Sequence, residues 1–104
     1  MEVTLERGGG VAGAANHERL GPVDTQAHPD GAQVEQLVVE IGFFGLSDEF
    51  PRPGLKTDPT WTSIRVIHGD GDRTIRWDSN QELPDELRQL FDAVAATGEW
   101  QRVA

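Results

Sequence analysis

The stretch RGGGVAG, Arg7 to Gly13, satisfies G-x-G-x-x-G at Gly8, Gly10 and Gly13, and it follows the strand-like EVTLE. In a dinucleotide site, glycines at this spacing open a helix whose N-terminus meets the pyrophosphate. The residues that follow here, VAGAANHERLGPVDT, scatter Gly13, Asn16, Gly21 and Pro22, which is a strand-and-turn composition. No Lys-Ser/Thr pair follows, so a P-loop is excluded as well. The context therefore points to a glycine-rich hairpin turn and not to a phosphate cradle.

Other chemistry is sparse. His17, His28 and His68 form no H-E-x-x-H, and no two of them have ligand spacing on a helix. Asp70, Gly71 and Asp72 share a fragment of a calcium loop, but the rest of that pattern is missing. Ser47, Ser63 and Ser79 all lie outside G-x-S-x-G. Carboxylates are too numerous for any pair to stand out. With no cysteine, disulfides and thiolate metal sites are impossible. The expectation is a non-enzymatic binding protein with no cofactor and no metal.

Charge narrows the choice of partner. Acids outnumber bases 18 to 9, giving a net charge of −9. Such a surface repels nucleic-acid phosphates and anionic lipid but tolerates a basic protein partner. The longest apolar stretch, LVVEIGFFGL, is interrupted by Glu40 and Gly42 and is far shorter than the roughly 20 residues of a membrane helix. The opening residues are acidic and lack the apolar core of a signal peptide. A soluble, cytoplasmic protein is expected, and 104 residues fit one domain over 1–104.

The elements that must position these residues are readable in outline. Residues 2–7 alternate, with Val3 and Leu5 on one face and Glu2, Thr4 and Glu6 on the other. A returning strand follows, with a bulge expected near Gly13. Val34, Leu37, Val38 and Ile41 lie at i, i+3, i+4 and i+7, which predicts a helix, with Asp30 as an N-cap or first-turn acid and Gly42 or Gly45 at its end. In WTSIRVIHGDGDRTIRWD, Asp70-Gly71 predicts a hairpin turn. That register pairs His68 with Arg73, Val66 with Ile75 and Ile64 with Trp77, and sets Arg65 opposite Arg76. A second helix carries Leu83, Leu87, Leu90, Phe91 and Val94, with Pro84 in its first turn and Trp100 folding back after Gly98. The expected architecture is α+β, β-β-α-β-β-α, a four-stranded antiparallel sheet with two helices on one face.

Two surfaces could carry recognition. One is the Arg65/Arg76 pair on the sheet face, a small positive patch for an acidic partner. The other is the loop GLSDEFPRPGLKTDPT, residues 45–60, which is longer than the roughly 4–6 residues usual between elements.

The termini MEVTLERGGGVAG and DRTIRWDSNQELPDELRQLFDAV resemble the emfourin family, small inhibitors of protealysin and related thermolysin-like zinc metalloproteases. Arg7, Gly9, Gly10, Val11, Ala12 and Gly13 fit that family's basic residue, Gly-Gly turn and Ala-Gly. Asp78, Leu83, Pro84 and Leu87 fit its acidic-polar link and L-P-x-x-L helix opening, and VDT at Val23–Thr25 also matches. The chain departs at Val11, where the family often has Phe, and in the loop from Gly45 to Thr60. The resemblance implies a protease inhibitor that occludes the active-site cleft, with a thermolysin-like metalloprotease as partner. Preorganised turns suit that task. Gly9, Gly10, Val11 and Ala12 are then the expected contacts, and Asp48 or Glu49 of the long loop could offer a carboxylate to the catalytic zinc.

Overall fold

The computed structural model describes residues 1–9, 17–52 and 59–103. Its elements are β1 (Glu2–Gly9), β2 (Glu18–Asp24), α1 (Gly31–Glu40), a 3-10 turn (Phe43–Gly45), β3 (Thr60–His68), β4 (Gly71–Asp78), α2 (Asp85–Ala95) and β5 (Gln101–Arg102). The fold is α+β. The sheet is antiparallel with strand order β4-β3-β1-β2-β5.

The period-2 alternation of β1 does what alternation predicts. Val3 and Leu5 are fully buried, while Glu2 is exposed and Thr4 and Glu6 are partly so. Ile64 and Val66 of β3, Ile75 and Trp77 of β4, and Leu20 of β2 join them on the same face. Val34 and Val38 of α1 and Leu87, Leu90 and Val94 of α2 close over that face in one cluster. Each such aliphatic side chain contributes about 1.5–3 kcal/mol when fully buried. The opposite face of the sheet is polar.

Four expectations need correction. First, the described sheet has five strands, not four. Gln101 and Arg102 pair with Arg19 and Glu18 of β2, and the Val103 N–H donates to the His17 carbonyl. That pairing rests on backbone groups alone, so no side-chain pattern announces it. Second, the hairpin register is displaced by two residues. His68 pairs with Gly71, Val66 with Arg73, Ile64 with Ile75 and Thr62 with Trp77. The turn is Gly69-Asp70, with Gly69 supplying the left-handed conformation at φ +59°. Gly71 is needed in the strand instead. A Cβ there would lie 2.9 Å from the ring of Phe44. A displacement of two residues preserves which side chains face inward, so the hydrophobic pattern cannot detect it.

Third, Asp30 does stand at the N-cap position of α1, but its side chain makes no capping hydrogen bond. Its φ of −95° and ψ of 7° are not the extended geometry that a capping carboxylate needs. Fourth, Pro84 stands at the N-cap of α2, one position before the first turn, and its carbonyl accepts from the N–H groups of Leu87 and Arg88. Asp85 and Glu86 do occupy the first turn. Gly42, at φ +62°, ends α1, and Trp100 folds back to within 6.2 Å of the Phe91 ring.

The irregularity in β2 lies at Gly21-Pro22, and Gly13 falls outside the described residues. Val3 pairs with Val23 and Leu5 with Leu20, so β2 carries one extra residue. That bulge lets Leu20 and Val23, three positions apart, both turn toward the core.

The start of α1 is packed against Thr25. A Cβ on Gly31 would meet the Thr25 carbonyl oxygen at 1.6 Å, a contact with backbone that no side-chain rotation relieves. Gly31→Ala should therefore cost about 3 kcal/mol, the upper end of overpacking effects. Gly45→Ala, with nothing within 4 Å of the added atom, should change stability by less than about 0.5 kcal/mol. Urea denaturation of the two variants checks both values.

Candidate protein-interaction site

Gly9 closes β1 directly opposite Thr60, which opens β3. The chain therefore leaves β1 after Gly9 and enters β3 before Thr60 at the same end of the sheet. The Arg52 guanidinium holds Asp78 at this end, with contacts of 2.7 and 3.3 Å, and Asp78 is the register partner of Trp61. The Pro51 carbonyl accepts from the Glu82 N–H, and the Thr60 carbonyl from the Ser79 N–H. So Gly9, His17, Arg52 and Pro59, the described residues that flank the 10–16 and 53–58 connections, are gathered at one end. The described ends of the two expected recognition elements therefore share this end of the sheet.

Both faces of the sheet are braced here. On the polar face, Trp61 lies over Gly8 so closely that a Cβ on Gly8 would be 2.9 Å from its Nε1. The Arg76 guanidinium stacks 4.3 Å from the Trp61 ring centroid, and the His17 ring is 5.2 Å away. Such cation–π contacts favour a cation held against an indole face. On the helix face, the Arg7 guanidinium sits 3.9 Å above the Trp100 ring and its Nε donates to Glu18 at 3.1 Å. Trp100 in turn contacts Phe91, which meets Trp77 edge-on. A cleft of about 240 Å³ opens between these supports, lined by Arg7, Gly8, Gly9, Glu18, Thr60, Trp61 and Thr62.

Gly9 takes φ +84°, and a Cβ on it would approach the Pro59 carbonyl oxygen to 3.0 Å. Gly10, Val11 and Ala12 lie outside the described residues. Asp48 and Glu49 are exposed on the coil between the 3-10 turn and Arg52. The Glu49 N–H donates to Ser47 Oγ at 3.3 Å, and Phe50 beside them is buried in the core. This coil is fastened at one end by Arg73, whose guanidinium donates to the Phe43 carbonyl at 2.7 Å, and at the other by Arg52 on Asp78. It therefore flanks β4 along its length.

Arg65 and Arg76 are not opposed. Arg65 pairs with Thr74 and Arg76 with Ser63, so they are diagonal neighbours on the polar face. Arg65 grips Asp72 through two contacts of 2.6 and 2.8 Å. That hydrogen-bonded pairing raises the Arg65 pKa and lowers that of Asp72. Asp78 is lowered likewise, first by Arg52 and then by the Asn80 N–H. No ion pair to Arg76 occurs among the described residues. A polar groove of about 620 Å³ runs across this face past Glu6, Arg19, Ser63, Arg65 and Asp72. Among the described residues no group of three His, Asp or Glu side chains could hold a metal ion. No described helix is long and apolar enough to cross a membrane.

Sequence reasoning missed Trp61, His17 and Gly8 as one assembly. Trp61, Arg65 and Arg76 share a face in either register; the true register sets Arg76 opposite Ser63, diagonal to Trp61, and the β1–β3 pairing that sets Gly8 under Trp61 has no local sequence signal.

Glu6 joins this assembly to β2, with Oε2 3.0 Å from His17 Nε2 and Oε1 2.9 Å from Arg19 Nε. Partial burial raises its pKa, but the hydrogen bonds from His17 and Arg19 and their charges outweigh burial and leave the carboxyl below its ordinary value. A depressed folded pKa stabilises the fold above the unfolded carboxylate pKa of about 4.3, and that contribution is lost as pH falls through the lower folded value. An NMR titration of the Glu6 carboxyl should give a midpoint below the model-peptide value, and Arg19→Ala should raise it. A midpoint unmoved by Arg19→Ala would contradict the assignment of cause.

Comparison with models of known protein families, with curated proteins and with solved structures finds no match for this chain.

Proposed function

We propose that this protein is a non-enzymatic inhibitor of a thermolysin-like zinc metalloprotease of the protealysin type, binding at and occluding the active-site cleft. The reading starts from the emfourin-like RGGGVAG and L-P-x-x-L motifs. The single observation that supports it most is the pairing of Gly9 with Thr60. It sets the residue that opens the glycine turn opposite the residue that closes the long 45–60 connection, on strands braced by Trp61 and Trp100. An inhibitor gains affinity when its contact elements are ordered before binding, because less conformational freedom is lost on association. Glycines at the leading edge allow close backbone approach to a cleft. Asp48 and Glu49 are exposed and available to reach a metal-bearing site from the flank of β4.

A second reading has one observation in its favour. Arg76 is a cation stacked on Trp61 with no carboxylate partner among the described residues, and it stands on a polar face beside Arg65. That arrangement suits an interaction module that binds an acidic partner through the sheet.

The test is inhibition of a purified protealysin-type protease by the folded protein. Inhibition at micromolar concentration or below is expected. Replacing Gly10 and Val11 together with Asp should weaken it by about a hundredfold or more, a loss of about 2.7 kcal/mol, without changing the thermal midpoint. Arg65→Glu with Arg76→Glu should leave inhibition within about threefold. Inhibition lost in the arginine variant but kept in the turn variant would move the contact to the sheet face. No inhibition by verified folded protein would end the protease reading.

A further inference from the structure

The end of the molecule opposite the glycine turn has a different surface. Among the described residues the exposed large hydrophobic side chains are Val39, 73% exposed, and Phe44, 41% exposed. They lie together, with Met1, Phe43 and His68, around an apolar recess of about 330 Å³. The recess is built, not incidental. Gly42 ends α1 in the left-handed conformation, and the 3-10 turn then sends consecutive residues apart, Phe43 into the core and Phe44 outward. Three contacts fix this arrangement. Phe44 meets Phe43 edge-on at 5.8 Å, it rests on the bare Gly71 backbone, and Arg73 clamps the Phe43 carbonyl. An exposed aromatic ring held in one orientation loses little freedom when it is covered, which is the property of an interface anchor.

The rim selects the occupant. Glu40 follows Val39, and Asp70 sits in the hairpin turn beside Gly71, on which Phe44 rests. Both are exposed, and none of the ion pairs among the described residues involves them. The Arg73 guanidinium is turned onto the Phe43 carbonyl. An acidic rim around an apolar recess attracts basic groups. A chain of net charge −9 repels both a second copy of itself and an anionic membrane.

We propose that the recess bounded by Met1, Val39, Phe44 and His68 docks a segment of a partner protein that carries a large apolar side chain flanked by Lys or Arg. The site is separate from the glycine-turn end, so an inhibitor bound there can hold a second protein here. The probe is a synthetic peptide with Leu-Phe between paired lysines, titrated into the isotope-labelled full chain. Amide shifts should concentrate around Val39, Phe44 and His68. Val39→Ser, at a side chain outside the core, should weaken binding about tenfold, and Glu40→Lys should weaken it further at low salt. The same variants should inhibit the protease as the parent does, so failure of one idea is distinguishable from failure of the other. The proposal is overturned by shifts spread over the polar sheet face, by equal binding to Val39→Ser, or by equal binding of a peptide with Leu-Phe between paired glutamates. Self-association through this patch in sedimentation, or partition of the protein onto vesicles in place of peptide binding, would overturn it too.

Discussion

The register of β1 against β3 governs everything at the glycine-turn end. Eight consecutive pairs run from Glu2 with Ile67 to Gly9 with Thr60, and no bulge interrupts them. This continuity brings Gly8 under Trp61, because the two are register partners and only a glycine lets the indole lie that close. Trp61 then offers a face to Arg76 and packs against the tilted His17 ring, and His17 leads through Glu6 to Arg19. A displacement of one residue would turn Trp61 into the core and dissolve the whole chain of contacts. Polar and apolar faces therefore depend on the same backbone pairing.

The charge distribution follows from that two-faced sheet. Helices cover the apolar face, so most ionic contacts cluster on the other one or at its ends. Arg65 with Asp72, Arg19 and His17 with Glu6, and Arg52 with Asp78 are exposed or half-exposed pairs. Exposed pairs contribute little to stability, because solvent screens them and ordering long side chains opposes the gain. Their role is geometric. They fix which cations are committed and which remain for a partner, and they hold the ends of irregular segments onto the sheet.

Much of this was legible in the sequence, and the reasons for the rest are specific. The alternation in β1 and the i, i+3, i+4, i+7 pattern of α1 are strong because burial on one side imposes a period. The hairpin faces were readable for the same cause, but the register was not. Asp70-Gly71 and Gly69-Asp70 are both acceptable turns, and only the packing of Phe44 on Gly71 decides between them. β5 was invisible because Gln101 and Arg102 bury nothing. Asp30 was legible as the N-cap position, but residue type alone does not set the φ and ψ that a side-chain cap needs. Of the candidate contacts, Gly9 could be placed at a strand end and Asp48 and Glu49 on an exposed coil. Their places relative to the sheet are tertiary facts that no local pattern carries, and the Val39–Phe44 recess is equally non-local, since it needs Gly42 to reverse the chain.

The coil that flanks β4 also bears on how this protein survives at high concentration. An antiparallel sheet ends in strands with spare amide and carbonyl groups, and those groups invite pairing with another molecule. Here one margin is escorted from Arg73 to Asp78 by the 46–52 segment. The other is partly occupied by Gln101 and Arg102, and farther along it carries Pro22, which has no amide to donate. Among the described residues each margin is thus partly occupied, which shortens the stretch of free strand that a neighbouring copy could extend.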